Sequence, residues 1–214
     1  FSVASAGNDH RLGANEAPPA IVSIYLGEEL TSVFEQIETG VAKDNGNCRT
    51  LEIGVLTLPI LPKDTTDRNR TSPFAFTGNK FEFRMVGSSQ SIATPNFIIN
   101  TIVADSLNQI ADRLEKASDF QTEVHCVVND IIKKHKRIIF NGNNYSEEWV
   151  AEAERRGLPN LKTAVDAIPA LIGEKNIELF KRTGVLTPTE VHSRYEIQLE
   201  NYIKTLRIEA LTMA

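Results

Sequence analysis

Lys80, Glu82 and Arg84 alternate with Phe81, Phe83 and Met85. Two is the side-chain period of a β-strand, so the charged residues share one face, with same-face neighbours about 6.6 Å apart. A carboxylate flanked by two cations stays ionised. It can ligate a hard cation such as Mg2+ while the bases hold anionic groups nearby. The same pattern also fits a plain solvated strand face. Polar loops flank the strand: Asp67-Arg68-Asn69-Arg70-Thr71-Ser72 before it and Gly87-Ser88-Ser89 after it. Two arginines among hydroxyl and amide donors suit phosphate oxygens. There is neither a GxxxxGK[ST] loop nor a GxGxxG in a Rossmann context, so a nucleotide user would need another architecture. A third segment, His10-Arg11-Leu12-Gly13-Ala14-Asn15-Glu16-Ala17-Pro18-Pro19, combines a permissive glycine with rigid prolines. Its Glu16 is a candidate general base or cation-binding carboxylate, or else an exposed loop acid.

Other chemistries find little support. His10, His125, His135 and His192 lack zinc-site spacing, and no GxSxG elbow is present. Cys48 and Cys126 form no CxxC and read as single buried or half-buried thiols. The net charge of -5 argues against broad nucleic-acid binding. The longest apolar runs fall far short of the ~20 residues of a membrane span. The first residues lack the pattern of a signal peptide, which leads to the expectation of a cytoplasmic protein. The chain opens on Phe1-Ser2-Val3-Ala4, directly before a polar, turn-prone run, and is expected to begin mid-architecture.

The elements that must position these residues fall into two textures. Residues 20–26 read as a buried strand, 28–39 as a short helix, 40–50 as a polar loop, 51–58 as a strand and 63–70 as a charged loop. Residues 73–79 read as a turn leading into the alternating strand. From residue 96 apolar residues recur at helical spacing through Ile99, Ile102, Val103, Leu107, Ile110 and Leu114, and a second helix runs into the basic stretch 133–137. A helix over 146–156 is expected to be capped by Asn144 with Glu147 in the reciprocal position. Another, over 161–183, is expected to break near Pro169 and close at Gly184. Thr187-Pro188-Thr189-Glu190 is a complete capping signature for a helix over 188–210, whose stripe is Val191, Tyr195, Leu199, Tyr202, Ile203 and Leu206. The expected fold is α+β. A partial antiparallel sheet occupies residues 1–93 and an all-helical region residues 94–214, and the two halves can share one core.

The loops and the strand, in this order, resemble the C-terminal half of the catalytic domain of the glutamine synthetases, and of the type III class in particular. The resemblance rests on Asn8-Asp9-His10-Arg11-Leu12-Gly13-Ala14-Asn15-Glu16-Ala17-Pro18-Pro19, on residues 67–84 and on Gly87-Ser88-Ser89. It covers residues 1 to about 105, and the helical remainder resembles the long C-terminal region of type III chains.

The resemblance implies an enzyme that makes glutamine from glutamate and ammonium, with ATP and Mg2+ or Mn2+, through a γ-glutamyl phosphate. It implies that Glu82 binds the metal nearest the nucleotide phosphates, and that Arg84 binds the carboxylate of glutamate and touches the transferring phosphate. Arg70 matches a phosphate-contacting catalytic arginine, and Glu16 a flap glutamate that takes a proton from ammonium and shields the acyl phosphate. Arg11 matches a substrate-binding arginine. Lys80 stands where many members have arginine, which keeps the charge but loses the bidentate fork. Arg68 is the candidate for a second phosphate-contacting charge, because the interval from Arg70 to Glu82 is shorter than in common bacterial members.

The family's other metal carboxylates, its essential histidine and a small N-terminal domain would lie before residue 1. The chain is therefore expected to be a fragment, inactive alone, of a ring-shaped homo-oligomer with no nucleic-acid or membrane partner. Should it act alone, Glu28, Glu29 and Asp67 would be the carboxylates to test. Two rival readings are a structural helical scaffold and a metal-independent binding module for small acidic ligands.

Overall fold

The computed structural model describes residues 1–14, 17–41, 50–51, 61–62 and 72–214. The expected strand over 51–58 falls outside them except at Leu51, and the charged loop over 63–70 and Cys48 fall outside them altogether.

The first element is a single helical turn, α1 (Asn8–Arg11), entered through Gly7 at φ 83°. The segment expected as a strand over 20–26 is ladder-paired only at β1 (Ile24–Tyr25). Helix α2 (Gly27–Thr39) follows and ends on Gly40 at φ 68°, a left-handed cap that a Cβ would strain. Strands β2 (Thr50–Leu51) and β3 (Leu61–Pro62) form an antiparallel pair. The turn expected over 73–79 is instead a strand and a tight loop: β4 (Phe74–Phe76) pairs antiparallel with β5 (Phe81–Phe83), in the register Phe74↔Phe83 and Phe76↔Phe81. The two phenylalanines of β5 that adjoin Phe74 explain the difference, for Phe74 stacks on Phe81 at 5.5 Å and meets Phe83 edge-on at 6.1 Å. Strand β1 joins the other side of β4 in parallel, giving the order β1-β4-β5. The fold is thus α+β, and its small sheet is mixed rather than wholly antiparallel.

The helical part begins with α3 (Ala93–Leu114) and α4 (Phe120–His135). Arg113 clasps this pair by bonding Glu123 and Asp130 of α4. Cys126 of α4 is a free, exposed thiol, not a half-buried one. Helix α5 (Glu147–Arg155) is capped by Ser146, whose hydroxyl accepts from the Trp149 N–H. The expected cap, Asn144, is instead buried and hydrogen-bonded to Ser23, so its side chain is committed to a tertiary contact. The helix expected over 161–183 is broken as the proline requires. It divides into α6 (Ala164–Ala167), a 3-10 turn over Ile168–Ile172 and α7 (Glu174–Thr183), closed by Gly184 at φ 67°. The last helix, α8 (Pro188–Met213), carries the expected Thr187–Glu190 capping box.

Among the described residues, two cores hold these elements. Leu171, Phe180, Leu186 and Val191 pack with Ile98 of α3. Trp149, Ala153 and Leu158 pack with Ile21, so the segment before the sheet and helix α5 share a core. Trp149 lies under Phe140, stacked at 3.8 Å, with the Arg156 guanidinium 5.4 Å from its ring. Burial of a large apolar side chain contributes about 1.5–3 kcal/mol, and Trp149 and Phe180 are each 1% exposed. Of the stripe on α8, Val191 is buried, Tyr195, Leu199, Tyr202 and Leu206 are half-buried, and Ile203 is exposed. On α3, Ile102, Val103 and Leu107 are exposed.

Candidate functional site

Strand β5 carries the charged face. The β4–β5 ladder orients it, and the Arg84 N–H extends the pairing by donating to the Pro73 carbonyl at 2.8 Å. Lys80 Nζ lies 3.2 Å from Glu82 Oε1, and the Arg84 guanidinium donates to Glu82 Oε2 from 3.1 Å. Glu82 therefore sits between two cations on one strand face, as the period of two requires. Hydrogen bonding from Lys80, then from Arg84, holds its carboxyl below the ordinary carboxylate range. The Arg84 side chain is the most enclosed of the three at 15% exposure, against 39% for Glu82 and 64% for Lys80. A half-open, ionised carboxylate remains reachable by a cation, while Arg84 is held close against the fold.

Arg11 approaches the end of the same strand from α1. Its terminal N–H donates to the Met85 carbonyl at 2.8 Å, and its Nε donates to Asn8 Oδ1 at 2.9 Å. Asn8 donates in turn to the Met85 carbonyl at 3.0 Å and the Val3 carbonyl at 2.8 Å. One backbone oxygen, directly after Arg84, thus gathers two side chains of the first loop. Gly87 keeps this approach open, since a Cβ there would come 3.1 Å from Asn8 Oδ1. After α1 the chain turns at Gly13, φ 83°, whose N–H donates to the carbonyls of Ala17 and Pro18.

Arg11, Lys80, Glu82 and Arg84 are in this way brought to one strand and its exit. Glu16, Arg68 and Arg70 lie outside the described residues, as does Asp67. Glu28 and Glu29 stand in the first turn of α2, on another element. Among the described residues, no group of three or more His, Cys, Asp or Glu side chains is arranged to hold a metal ion, so Glu82 fits such an ion as one ligand of a larger set. No helix among the described residues is long and apolar enough to cross a membrane.

Asn8 and Asp9 were not singled out by the sequence reading, although both stand in the motif beside Arg11. Asp9 bonds to the helical part. Its Oδ2 accepts from the Ala164 N–H at 3.1 Å and from the Tyr202 hydroxyl at 3.0 Å. A polar run before a glycine turn signals a site loop, but gives no hint that helices over 150 residues later would bind it.

Comparison with known proteins places this geometry in a family. A family model described as the glutamine synthetase C-terminal domain matches residues 123–214. A type-3 glutamine synthetase of Dictyostelium discoideum is 50% identical over 212 residues, covering 98% of this chain and 29% of that protein. A glutamine synthetase of Butyrivibrio fibrisolvens is 48% identical over 220 residues, covering all of this chain and 30% of that protein. One from Bacteroides fragilis is 39% identical over 216 residues, covering 98% and 30%. The chain therefore spans about 30% of the length of these relatives. Matched by them from its β-strands to its last helix, the chain belongs to the glutamine synthetase family.

Proposed function

We propose that these residues form part of an ATP-dependent glutamate–ammonia ligase of the type-3 class, residues 1–93 belonging to its catalytic domain and residues 94–214 to a helical region. The observation that carries the reading is Glu82, held ionised between Lys80 and Arg84, with Arg11 fastened to the carbonyl that follows Arg84. Such a cluster suits a substrate carrying carboxylate and phosphate groups.

In this reading the γ-carboxylate of glutamate attacks the terminal phosphorus of ATP, the bond to the bridging oxygen breaks, and ADP leaves. Ammonia then attacks the carbonyl carbon of the acyl phosphate and inorganic phosphate departs with the bonding pair. Arg11 and Arg84 orient the carboxylates of glutamate, and Arg84 and Arg70 stabilise charge on the phosphoryl oxygens. Lys80 and Arg68 add positive charge near the nucleotide. Glu16 accepts the proton that ammonium gives up and keeps water from the acyl phosphate. Glu82 would supply one oxygen ligand to Mg2+ or Mn2+, which when bound neutralises phosphate charge. The activity is that of a longer protein, cytoplasmic and assembled as a ring-shaped homo-oligomer without nucleic-acid or membrane partners.

The test is Glu82→Ala in the full-length enzyme, with Glu147→Ala as control, since Glu147 sits on the exposed start of α5. Loss of a metal-binding carboxylate should lower glutamine formation by roughly 100-fold or more, while the control stays within about twofold of the parent, as surface substitutions do. Comparable activities for the two variants would remove the metal-ligand assignment. A metal-independent module for small acidic ligands has one observation in its favour: Glu82 is already balanced by Lys80 and Arg84. Calorimetry separates the two. Nucleotide binding that needs Mg2+ supports the ligase, whereas glutamate binding indifferent to both ATP and metal supports the module.

A further inference from the structure

The single turn α1 is held from two sides by different parts of the molecule. On one side Asn8 and Arg11 converge on the Met85 carbonyl at the end of the site strand. On the other, Asp9 Oδ2 receives the N–H of Ala164, the first residue of α6, and the hydroxyl of Tyr202 in the middle of α8. Both donors belong to the helical segment matched as the C-terminal domain. The Tyr202 hydroxyl is held above its usual range by burial first and by the Asp9 carboxylate second, so it stays a donor at neutral pH. Hydrogen bonds to an ionised acceptor are the stronger kind.

Arg11 spends two of its N–H donors on Asn8 and Met85. Its remaining donors are presented wherever α1 is set. With only one turn of its own, α1 has little internal stiffness, because a lone turn pays the nucleation cost of a helix without its cooperative return. Its position has to come from the contacts on either side. Asp9 is adjacent to Asn8 and two residues from Arg11, so a shift of Asp9 carries both of them.

We propose that Asp9 is a positioning residue, through which Tyr202 of α8 and the start of α6 set where Arg11 presents its guanidinium to the substrate carboxylate. The inference rests on the reading of Arg11 as a substrate-binding residue. It gives the helical region a part in substrate affinity without touching the substrate. A misplacement of about 1 Å in a positioning group can cost on the order of 100-fold in rate or affinity, and the tie to α8 is the contact on which such a shift depends.

The experiment measures steady-state constants of the full-length enzyme for glutamate and for ATP separately, in the variants Tyr202→Phe, Asp9→Asn, Asp9→Ala and Arg11→Ala. Asp9→Ala should raise the glutamate KM by roughly tenfold and Tyr202→Phe by about threefold, with the ATP KM within about twofold of the parent. Asp9→Asn keeps an oxygen acceptor and should recover most of the loss seen with alanine. Hydrogen exchange of the amides of residues 8–12 should quicken in Tyr202→Phe, while those of α7 do not change. If Asp9→Ala fails to fold, Tyr202→Phe decides the matter, since it removes only the hydroxyl and preserves side-chain shape. If Arg11→Ala weakens glutamate binding and the Asp9 and Tyr202 variants do not, this inference falls and the reading of Arg11 stands. If Arg11→Ala leaves the glutamate KM unchanged, the reading of Arg11 falls and the inference with it. An equal rise in both KM values would also overturn it, because that marks a general loss of structure.

Discussion

The helical region and the strand region are held together by different kinds of contact. In the helical region the ends of elements are satisfied locally: Ser146 caps the N–H of Trp149, Thr163 that of Asp166, and Thr187 that of Glu190, each three residues away. Its core, around Phe180 and Val191, is drawn mostly from residues 171–191. The strand region has ladders of two or three residues, and among the described residues β5 has a neighbouring strand on one side only. Its backbone relies on distant donors and acceptors, such as Pro73 for Arg84 and Asn141 for Leu26 and Gly27. Local contacts make a stable platform. The site is built where contacts are distant and few, which leaves charged side chains accessible to ligands.

That contrast can be broken or sharpened by substitution, beginning with the largest effect. Trp149→Ala should destabilise the fold by about 3–5 kcal/mol, whereas Phe81→Ala, at a ring 49% exposed, should cost well under half of that. Denaturant unfolding followed by circular dichroism reads both, and equal losses would contradict the division. Asn144→Ala removes the partner of Ser23 in a buried site and should cost about 1–3 kcal/mol, measured in the same way. Thr187→Ala removes one capping interaction and should cost about 1 kcal/mol, confined to α8 in hydrogen exchange. The smallest effect is in pH. Hydrogen bonds from Arg155 first and Arg156 second lower the Glu152 carboxyl from 4.5 to about 2. A depressed folded-state value adds stability above the unfolded value, lost as pH falls from about 4.5 towards about 2. Glu152→Gln should therefore flatten the acid limb of the stability profile in that window, its small loss of stability being complete at pH 7 and vanishing as the pH falls towards about 2.

The same division governs how far the sequence could be read. The capping box at Thr187, the break at Pro169 and the left-handed closure at Gly184 are all set by neighbours in the chain, and each was legible there. The face of Lys80, Glu82 and Arg84 was legible because strand periodicity is local too. Asn144 was misread as a cap because nothing nearby shows that Ser23 claims its side chain. The strand at Phe74–Phe76 reads as a turn in sequence because its stability comes from rings across the hairpin. Arg11 stands out in its motif as a candidate, but its anchor on Met85, and the anchor of Asp9 on α6 and α8, depend on tertiary placement alone.

Besides its ladder with β4, the segment 23–27 is bound by residues 140–144. The Ser23 hydroxyl donates to Asn144 at 2.7 Å, the Phe140 N–H donates to the Ile24 carbonyl at 3.0 Å, and Asn141 Oδ1 accepts from the N–H groups of Leu26 and Gly27. Closing so long a loop costs only slightly more entropy than closing one of half the length, but it delays assembly, because non-local pairing is slow to find. During synthesis these residues leave the ribosome well over a hundred positions ahead of the asparagines that complete them. The groups of this segment that face residues 140–144 stay in water until α3 and α4 have emerged, although its ladder partner β4 is made before them. The contacts of this segment with residues 140–144 are thus completed later than its ladder with β4 can be.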